Sequence, residues 1–249
     1  MTPSPLSTPF ANLADTLRER GHAVLSRHSV GELLQRPPQE LDALRPSWGD
    51  LPPDTYLRDG GRYRRRRHSC FVVDGDSVVA VAHRAHWQPV EYNALHGGLE
   101  RWFEPIAAGV VEQPVWVQLL TSVAGCVSAL KGARPWYVEA HQFRIDTTDG
   151  IGRPTPEGAH RDGVDLVAVA LVDRCGIKGG ETRVFDANGP VGIRFTMTEP
   201  WSLLLLDDER VIHESTPIQP IGAGAAEGGH RDTLVLTFRA GGFQGPAGA

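Results

Sequence analysis

The 249-residue chain is 41% hydrophobic and 22% charged, with a formal net charge of −5. That is an ordinary globular composition, long enough to bury a sizeable core in one large domain or two small ones. The acidic balance argues against a nucleic-acid partner, and the absence of an acidic tail argues against a histone-like or metal-buffering one. Three well-separated cysteines, Cys70, Cys126 and Cys175, lack Cys-x-x-Cys spacing and read as free, buried thiols in a reducing cytosol. The N-terminal stretch has no basic head before an apolar core, and no segment reaches the apolar length that spans a bilayer. The expectation is a soluble, cytoplasmic protein with no membrane partner.

Residues 1–9 are rich in Pro, Ser and Thr. Thr8-Pro9 opens a helix carrying Phe10, Leu13, Ala14 and Leu17 at helical spacing, with Gly21 as the stop. Ser29 and Glu32 make a capping-box pattern before a short helix that ends ahead of Pro37-Pro38. Residues 36–62 read as loop. The stretch "RYRRRRHSCFVVDGDSVVAVAH" reads as two strands about a turn at Asp74-Gly75. Residues 89–132 read as helical, with one stripe of Leu99, Trp102, Phe103 and Ile106. Val115, Leu119, Leu120, Val123, Val127 and Leu130 form another, closed by Gly132. From about residue 136, "WYVEAHQFRI", "VDLVAVALVD", "ETRVFD", "SLLLLDD", "VIHESTPI" and "TLVLTFR" are strand-like segments at turn spacing. Helices first and strands later predict an α+β fold with one main β core, a sandwich or barrel.

His-Arg-Asp occurs twice, at 160–162 and at 230–232. A kinase catalytic loop would need Asn five residues after the Asp, where Val167 and Thr237 stand instead. The remaining readings of the first copy are surface charge at the start of a strand, or a metal site. On a strand, residues i and i+2 share a face with Cα atoms about 6.5 Å apart, so His160 and Asp162 can converge on one ion. A third ligand must come from elsewhere. His213, about fifty residues on, is the leading candidate, with His141, His83 and His86 as rivals. Two His and one carboxylate with open positions are the signature of non-haem Fe(II) oxygenases.

In the second copy the arginine is the informative residue. On a strand from 231 to 239, Arg231, Thr233, Val235 and Thr237 share one face, and Leu234, Leu236 and Phe238 the other. A guanidinium with a hydroxyl two residues on suits a carboxylate. The two copies therefore do different jobs. The run "RYRRRRHSC" is too short, and Tyr63 and Phe71 too poorly spaced, for a nucleic-acid surface.

The order His-x-Asp, His, Arg-x-Thr resembles Fe(II)/2-oxoglutarate-dependent dioxygenases. Together with "YLRDGGRYRRRRHSCF", "YNALHGGLERWFEPI", "PTPEGAHRDGVD" and "DDERVIHESTPI…HRDTLVLTF", it is similar to the bacterial 2OG-Fe dioxygenase family that includes L-isoleucine 4-hydroxylase and related free amino-acid hydroxylases. The resemblance covers roughly residues 45 to 240. It implies a double-stranded β-helix (jelly-roll, cupin-like) core with N-terminal and central helices packed on it. The single domain, 1–249, would comprise a helical segment 1–35, flanking elements 36–135 and core strands 136–240. It implies Fe(II), 2-oxoglutarate and O2, with His160, Asp162 and His213 on iron and Arg231, beside Thr233, on the distal carboxylate of 2-oxoglutarate. "GGET" at 179–182 resembles the glycine turn before a core strand. Gln142 and Arg144 share one face of "VEAHQFRI" and are candidates for the cofactor and the substrate. Arg65 and Arg67 are candidates to meet a substrate carboxylate. The expected activity is hydroxylation of a small molecule, a free aliphatic L-amino acid first. The alternatives are a peptide or larger metabolite as substrate, or a metal-binding regulatory, stress or biofilm protein without hydroxylase activity. Oligomeric state is left open, with a homodimer as the candidate.

Overall fold

The computed structural model describes residues 4–222 and 228–246; the first three residues of the N-terminal stretch lie outside them. A short 3-10 turn, Phe10–Asn12, leads into helix α1, Leu13–Arg20, which buries Leu13 and Leu17. Gly21 ends it at φ 71°, its N–H bonded to the Leu17 carbonyl, as the sequence expects. Strand β1, His22–Leu25, follows. It is too short to carry a periodic signal and was not anticipated. Helix α2, Arg27–Leu34, is capped by Ser26, whose side chain accepts from the Ser29 N–H. Ser29 itself is buried inside the helix, so the expected capping box lies three residues too late.

The stretch read as loop contains a long 3-10 segment, Pro38–Asp50, which buries Leu41, Leu44 and Trp48. The Trp48 indole donates to the carbonyls of Phe143 and Thr233 at 3.2 and 3.3 Å, pinning this segment to the main sheet. Strands β2, Arg64–Asp74, and β3, Ser77–Ala80, pair antiparallel about Asp74-Gly75 as expected. Residues 89–106 hold no helix. Pro89, Gly97-Gly98 and Pro105 interrupt any run of turns, and Trp102 is 52% exposed, so no buried stripe forms there.

Helix α3, Ala108–Val111, and helix α4, Pro114–Lys131, do form. By length and composition α4 could cross a membrane, contrary to the expectation that no segment could. Its stripe of Val115, Trp116, Leu119, Leu120, Val123 and Val127 is instead buried in the core.

The remaining strands are β4, Trp136–Asp146; β5, Leu166–Cys175; β6, Ile177–Gly179; β7, Thr182–Asp186; β8, Gly192–Phe195; β9, Leu203–Asp207; β10, Val211–Ser215; β11, Ile218–Pro220; and β12, His230–Ala240. Every pairing is antiparallel. The main sheet runs β1-β9-β5-β12-β4-β2-β3; smaller sheets are β10-β7-β8 and β11-β6. The segment expected to flank the core thus supplies two strands of the main sheet, β2 and β3.

Strand parity separates two cores. One face of the main sheet (Val138, Ala140, Leu234, Leu236 and Phe238) packs with α1, α2 and α4. On the other face, Val167, Leu171, Leu204 and Leu206 meet Val184, Phe195 and Val211 of the smaller sheet. The result is a helix layer on a jelly roll, the expected fold class. Each fully buried Leu or Phe contributes about 1.5–3 kcal/mol. Before β7, Gly179 and Gly180 sit at φ 82° and 67°, and a Cβ on Gly179 would lie 2.2 Å from the Pro217 carbonyl oxygen. This is the turn expected of "GGET". The three cysteines are free; Cys70 is buried, but Cys126 is half-buried and Cys175 exposed, so burial was expected too broadly.

Candidate active site

A cavity opens between the main sheet and β10, lined by residues of β2, β4, β5 and β12, the loop 86–101 and the loop 154–164. At one end stand His160, Asp162 and His213, whose ligand atoms all lie within 4.8 Å of one another. His160 Nε2 is 3.9 Å from Asp162 Oδ1, and His213 Nε2 is 3.8 Å from Asp162 Oδ2. Donors at right angles on bonds of about 2.1 Å would stand about 3.0 Å apart, so the group needs only a modest contraction to close on an ion.

The first His-Arg-Asp was expected on a strand but does not lie on a regular one; β5 starts only at Leu166. His160 instead forms an isolated bridge with His213, N–H to carbonyl in both directions at 3.0 and 2.9 Å. Asp208 then shapes the turn. Its carboxylate accepts from the backbone N–H groups of Asp162, Gly163 and Val164 at 3.0, 2.7 and 3.1 Å. Gly163, at φ 76°, has the left-handed backbone that this turn requires, and a Cβ there would meet Tyr92 at 2.4 Å. Burial and the neighbouring Asp162 push the Asp208 carboxyl up to about 7.

The hydrogen bonds suit an ion at this end. The carbonyl of Gly158 accepts from His160 Nδ1 at 3.0 Å, which leaves Nε2 with its lone pair. Gln88 Nε2 donates to Asp162 Oδ1 at 3.0 Å, orienting the carboxylate. Burial opposes charge on His160, but the carboxylates of Asp162 and Glu157 raise its pKa above the ordinary value. Burial and the His160 charge hold His213 well below it.

Arg231 lies on the cavity wall with Thr233, Val235 and Thr237, as parity predicts. It is 6% exposed, has no acid within ion-pair distance among the described residues, and is lowered to about 10 by burial and by Arg174. Asp232, next in the chain, faces the opposite side and pairs with Arg144 at 2.6 Å.

Four sequence candidates do not reach the cavity. Gln142 and Arg144 share the helix-side face of β4; Gln142 donates to Ser47 at 2.7 Å, and Arg144 is committed to Asp232. On β2 the register sets Arg64 opposite Ile145, Arg66 opposite Phe143 and His68 opposite His141. Arg64 and Arg66 therefore line the cavity, whereas Arg65 and Arg67 turn outward to Asp146 and to Glu104 and Asp50. The expected arginines were off by one position in a period-two pattern. Of the rival ligands, His83 bonds the Phe103 carbonyl, while His86 and His141 belong to a second group.

That second group, His68, His86, Glu139 and His141, was not anticipated as a unit. All four are buried, with ligand atoms within 4.8 Å. Glu139 Oε2 faces His86 Nδ1 at 2.5 Å, His68 Nε2 at 3.5 Å and His141 Nε2 at 3.6 Å. Arg66, which only donates, bonds His141 Nδ1 at 2.7 Å, so the His141 proton sits on Nε2 and points at Glu139. His68 Nδ1 has no partner, and neither has His213 Nδ1, so outer support does not separate this group from the first; the proton that His141 points at Glu139 does. The donor set suits a carboxylate hub held by neutral imidazoles better than an ion. A third group, Asp173, His230 and Asp232, lies beside the Arg144 ion pair.

Two further lining residues carry no sequence signal of their own, Arg101 and Glu157. Arg101 is 2% exposed, and one nitrogen donates to Gln88 Oε1 at 3.0 Å. Glu157 Oε1 lies 3.6 Å from His160 Nε2.

The model of the 2OG-Fe dioxygenase family matches residues 45–237. The chain is similar over 99% of both lengths to a bsmA homolog from Methylobium petroleophilum PM1, at 51% identity and a TM-score of 0.92. It shares its fold with IDO from Bacillus thuringiensis (18% identity, 96% and 97% of the two chains, TM-score 0.73). The same holds for the Fe(II)/(alpha)ketoglutarate-dependent dioxygenase TqaL (19% identity, 92% and 86%, TM-score 0.70). No functionally curated protein matches the chain.

Proposed function

Since the chain belongs to the 2OG-Fe dioxygenase family, whose members use Fe(II), 2-oxoglutarate and O2, we propose that it hydroxylates a free amino acid, an aliphatic one first. His160, Asp162 and His213 would hold the iron. When bound, iron, 2-oxoglutarate and O2 together supply the oxidation of an unactivated C–H, with succinate and CO2 as coproducts.

The chain's own residues have four tasks. Gly158 and Gln88 orient two of the ligands. Asp208 holds the backbone turn that presents Asp162. Arg231 and Thr233 would bind the distal carboxylate of 2-oxoglutarate through two N–H bonds and one O–H bond. The apolar wall residues Val164, Val169 and Val235 would keep water from the reacting centre.

The observation that carries the reading is one cavity joining the two-histidine, one-carboxylate group to a buried guanidinium with no acid in ion-pair reach among the described residues. The test is anaerobic titration of metal-free protein with Fe(II) and then 2-oxoglutarate, watching for the visible charge-transfer band of a chelated keto acid. The band is expected in the native protein, weak in Arg231→Ala and absent in His160→Ala. Iron bound with no band, and no succinate with any amino acid, would leave a metal-binding protein without hydroxylase activity.

A further inference from the structure

Pairing the charges around the cavity leaves Arg239 without a carboxylate among the described residues, its guanidinium donating to the Gly242 carbonyl at 2.6 Å, and two further residues over. Asp54 answers Arg64 at 2.7 Å and Arg66 at 3.8 Å. Arg66 is also sandwiched between the rings of Phe103 and Phe143, 3.8 and 4.4 Å from their centroids. Glu139 Oε2 is shared by the three imidazoles. Arg231 is committed to the co-substrate. What remains is Arg101 and Glu157.

Arg101 has no carboxylate within 4 Å among the described residues, and its Nε is buried without a partner. A buried cation in that state costs several kcal/mol until an anion arrives. Glu157 is the mirror case. Its Oε2 is buried with no hydrogen bond, and its Oε1 faces only His160 Nε2 at 3.6 Å. That nitrogen is the one that would carry iron, so it has no proton to give. Arg101 and Glu157 feel one another's charge but do not touch. The gap between them lies in the cavity that both line, together with the iron end.

We propose that Arg101 and Glu157 form the substrate subsite, Arg101 taking the α-carboxylate and Glu157 the α-ammonium of a zwitterionic amino acid. The proposal rests on the dioxygenase reading above and deepens it. It requires both charged ends to be free, so a residue inside a peptide is excluded. Gln88 joins the subsite to the iron end. Its Oε1 accepts from Arg101 while its Nε2 donates to Asp162.

The test uses the full protein loaded anaerobically with Fe(II) and 2-oxoglutarate. Each of the standard L-amino acids is added in turn while the charge-transfer band is recorded, and succinate is then measured in air. At least one amino acid is expected to shift the band and to support succinate formation. Its methyl ester and its N-acetyl derivative are expected to do neither. Arg101→Met should raise the KM for that amino acid at least about 100-fold, far more than it changes the 2-oxoglutarate titration through the lost Gln88 contact. Glu157→Gln tests the other end without removing a buried cation. It should weaken the amino acid at least about 10-fold but leave the matching carboxylic acid, which lacks the amine, unaffected.

A normal band with no response to any amino acid would overturn the proposal while the dioxygenase reading stands. Equal responses to the ester and the N-acetyl compound would do the same, as would unchanged KM values in both variants. Loss of the band itself in the native protein would sink the dioxygenase reading instead.

Discussion

Gln88 donates to Asp162 at 3.0 Å from a loop 74 residues away in the chain. Its other amide atom is tied to Arg101 and Asn93, both at 3.0 Å. The amide therefore has a fixed orientation, and the carboxylate of Asp162 has a fixed partner. Outer partners of metal ligands typically contribute 10- to 100-fold in metal affinity. Gln88→Ala is expected to weaken Fe(II) binding by about that factor, measured by anaerobic titration. Unchanged iron affinity would mean that Asp162 is oriented by its backbone alone.

Arg231 is a buried cation waiting for an anion. Arg231→Ala should raise the dissociation constant for 2-oxoglutarate at least about 100-fold. Thr233→Val, which removes one hydroxyl bond, should cost about 3- to 10-fold. Calorimetric titration of the iron-loaded protein with 2-oxoglutarate measures both. A larger effect at Thr233 than at Arg231 would reverse the assigned roles.

The outward arginines offer a contrast in stability. Arg144 pairs with Asp232, which is 1% exposed, so Arg144→Ala strands a buried carboxylate. Loss of about 3 kcal/mol is expected from denaturant unfolding. Arg67 meets the exposed Glu104 and Asp50, so Arg67→Ala should cost about 1 kcal/mol or less. Neither variant should alter the KM of an accepted amino acid, since neither side chain lines the cavity.

Burial also sets an acid limit. Burial, outweighing the pull of the Glu139 carboxylate, holds His86 down at about 3, and burial with Arg64 and Arg101 holds His96 at about 4. Both folded values lie below the ordinary 6.5, so the unfolded chain takes up protons first. The stability that these histidines contribute is full above pH 6.5 and falls as pH drops toward 4. Between pH 7 and pH 5 each should remove about 2 kcal/mol. The melting temperature of the metal-free protein should fall over that interval, and His96→Asn should flatten the slope. An equal slope in the variant would place the acid limit elsewhere.

Much of the site was legible because its motifs are local or periodic. His-x-Asp with a distant His, and an arginine two residues before a threonine on a strand, are spacings that a single sequence displays. The alternation of β12 separates Arg231 and Thr233 from Leu234 and Leu236 without any structure. The helix read over 89–106 failed because apolar spacing there outvoted Pro89, Gly97-Gly98 and Pro105.

What the sequence determined by itself was therefore the identity of the pairs: which residues alternate, and which motif could bind a cation or an anion. Only the tertiary structure decided which face is inward. Strand parity is relative, so Arg64 and Arg66 or Arg65 and Arg67 fit the pattern equally well until β2 pairs with β4 in a definite register. Arg101 and Glu157 sit on loops without period, and their charges acquire meaning only when folding buries them in one cavity and leaves Arg101 Nε and Glu157 Oε2 without hydrogen bonds.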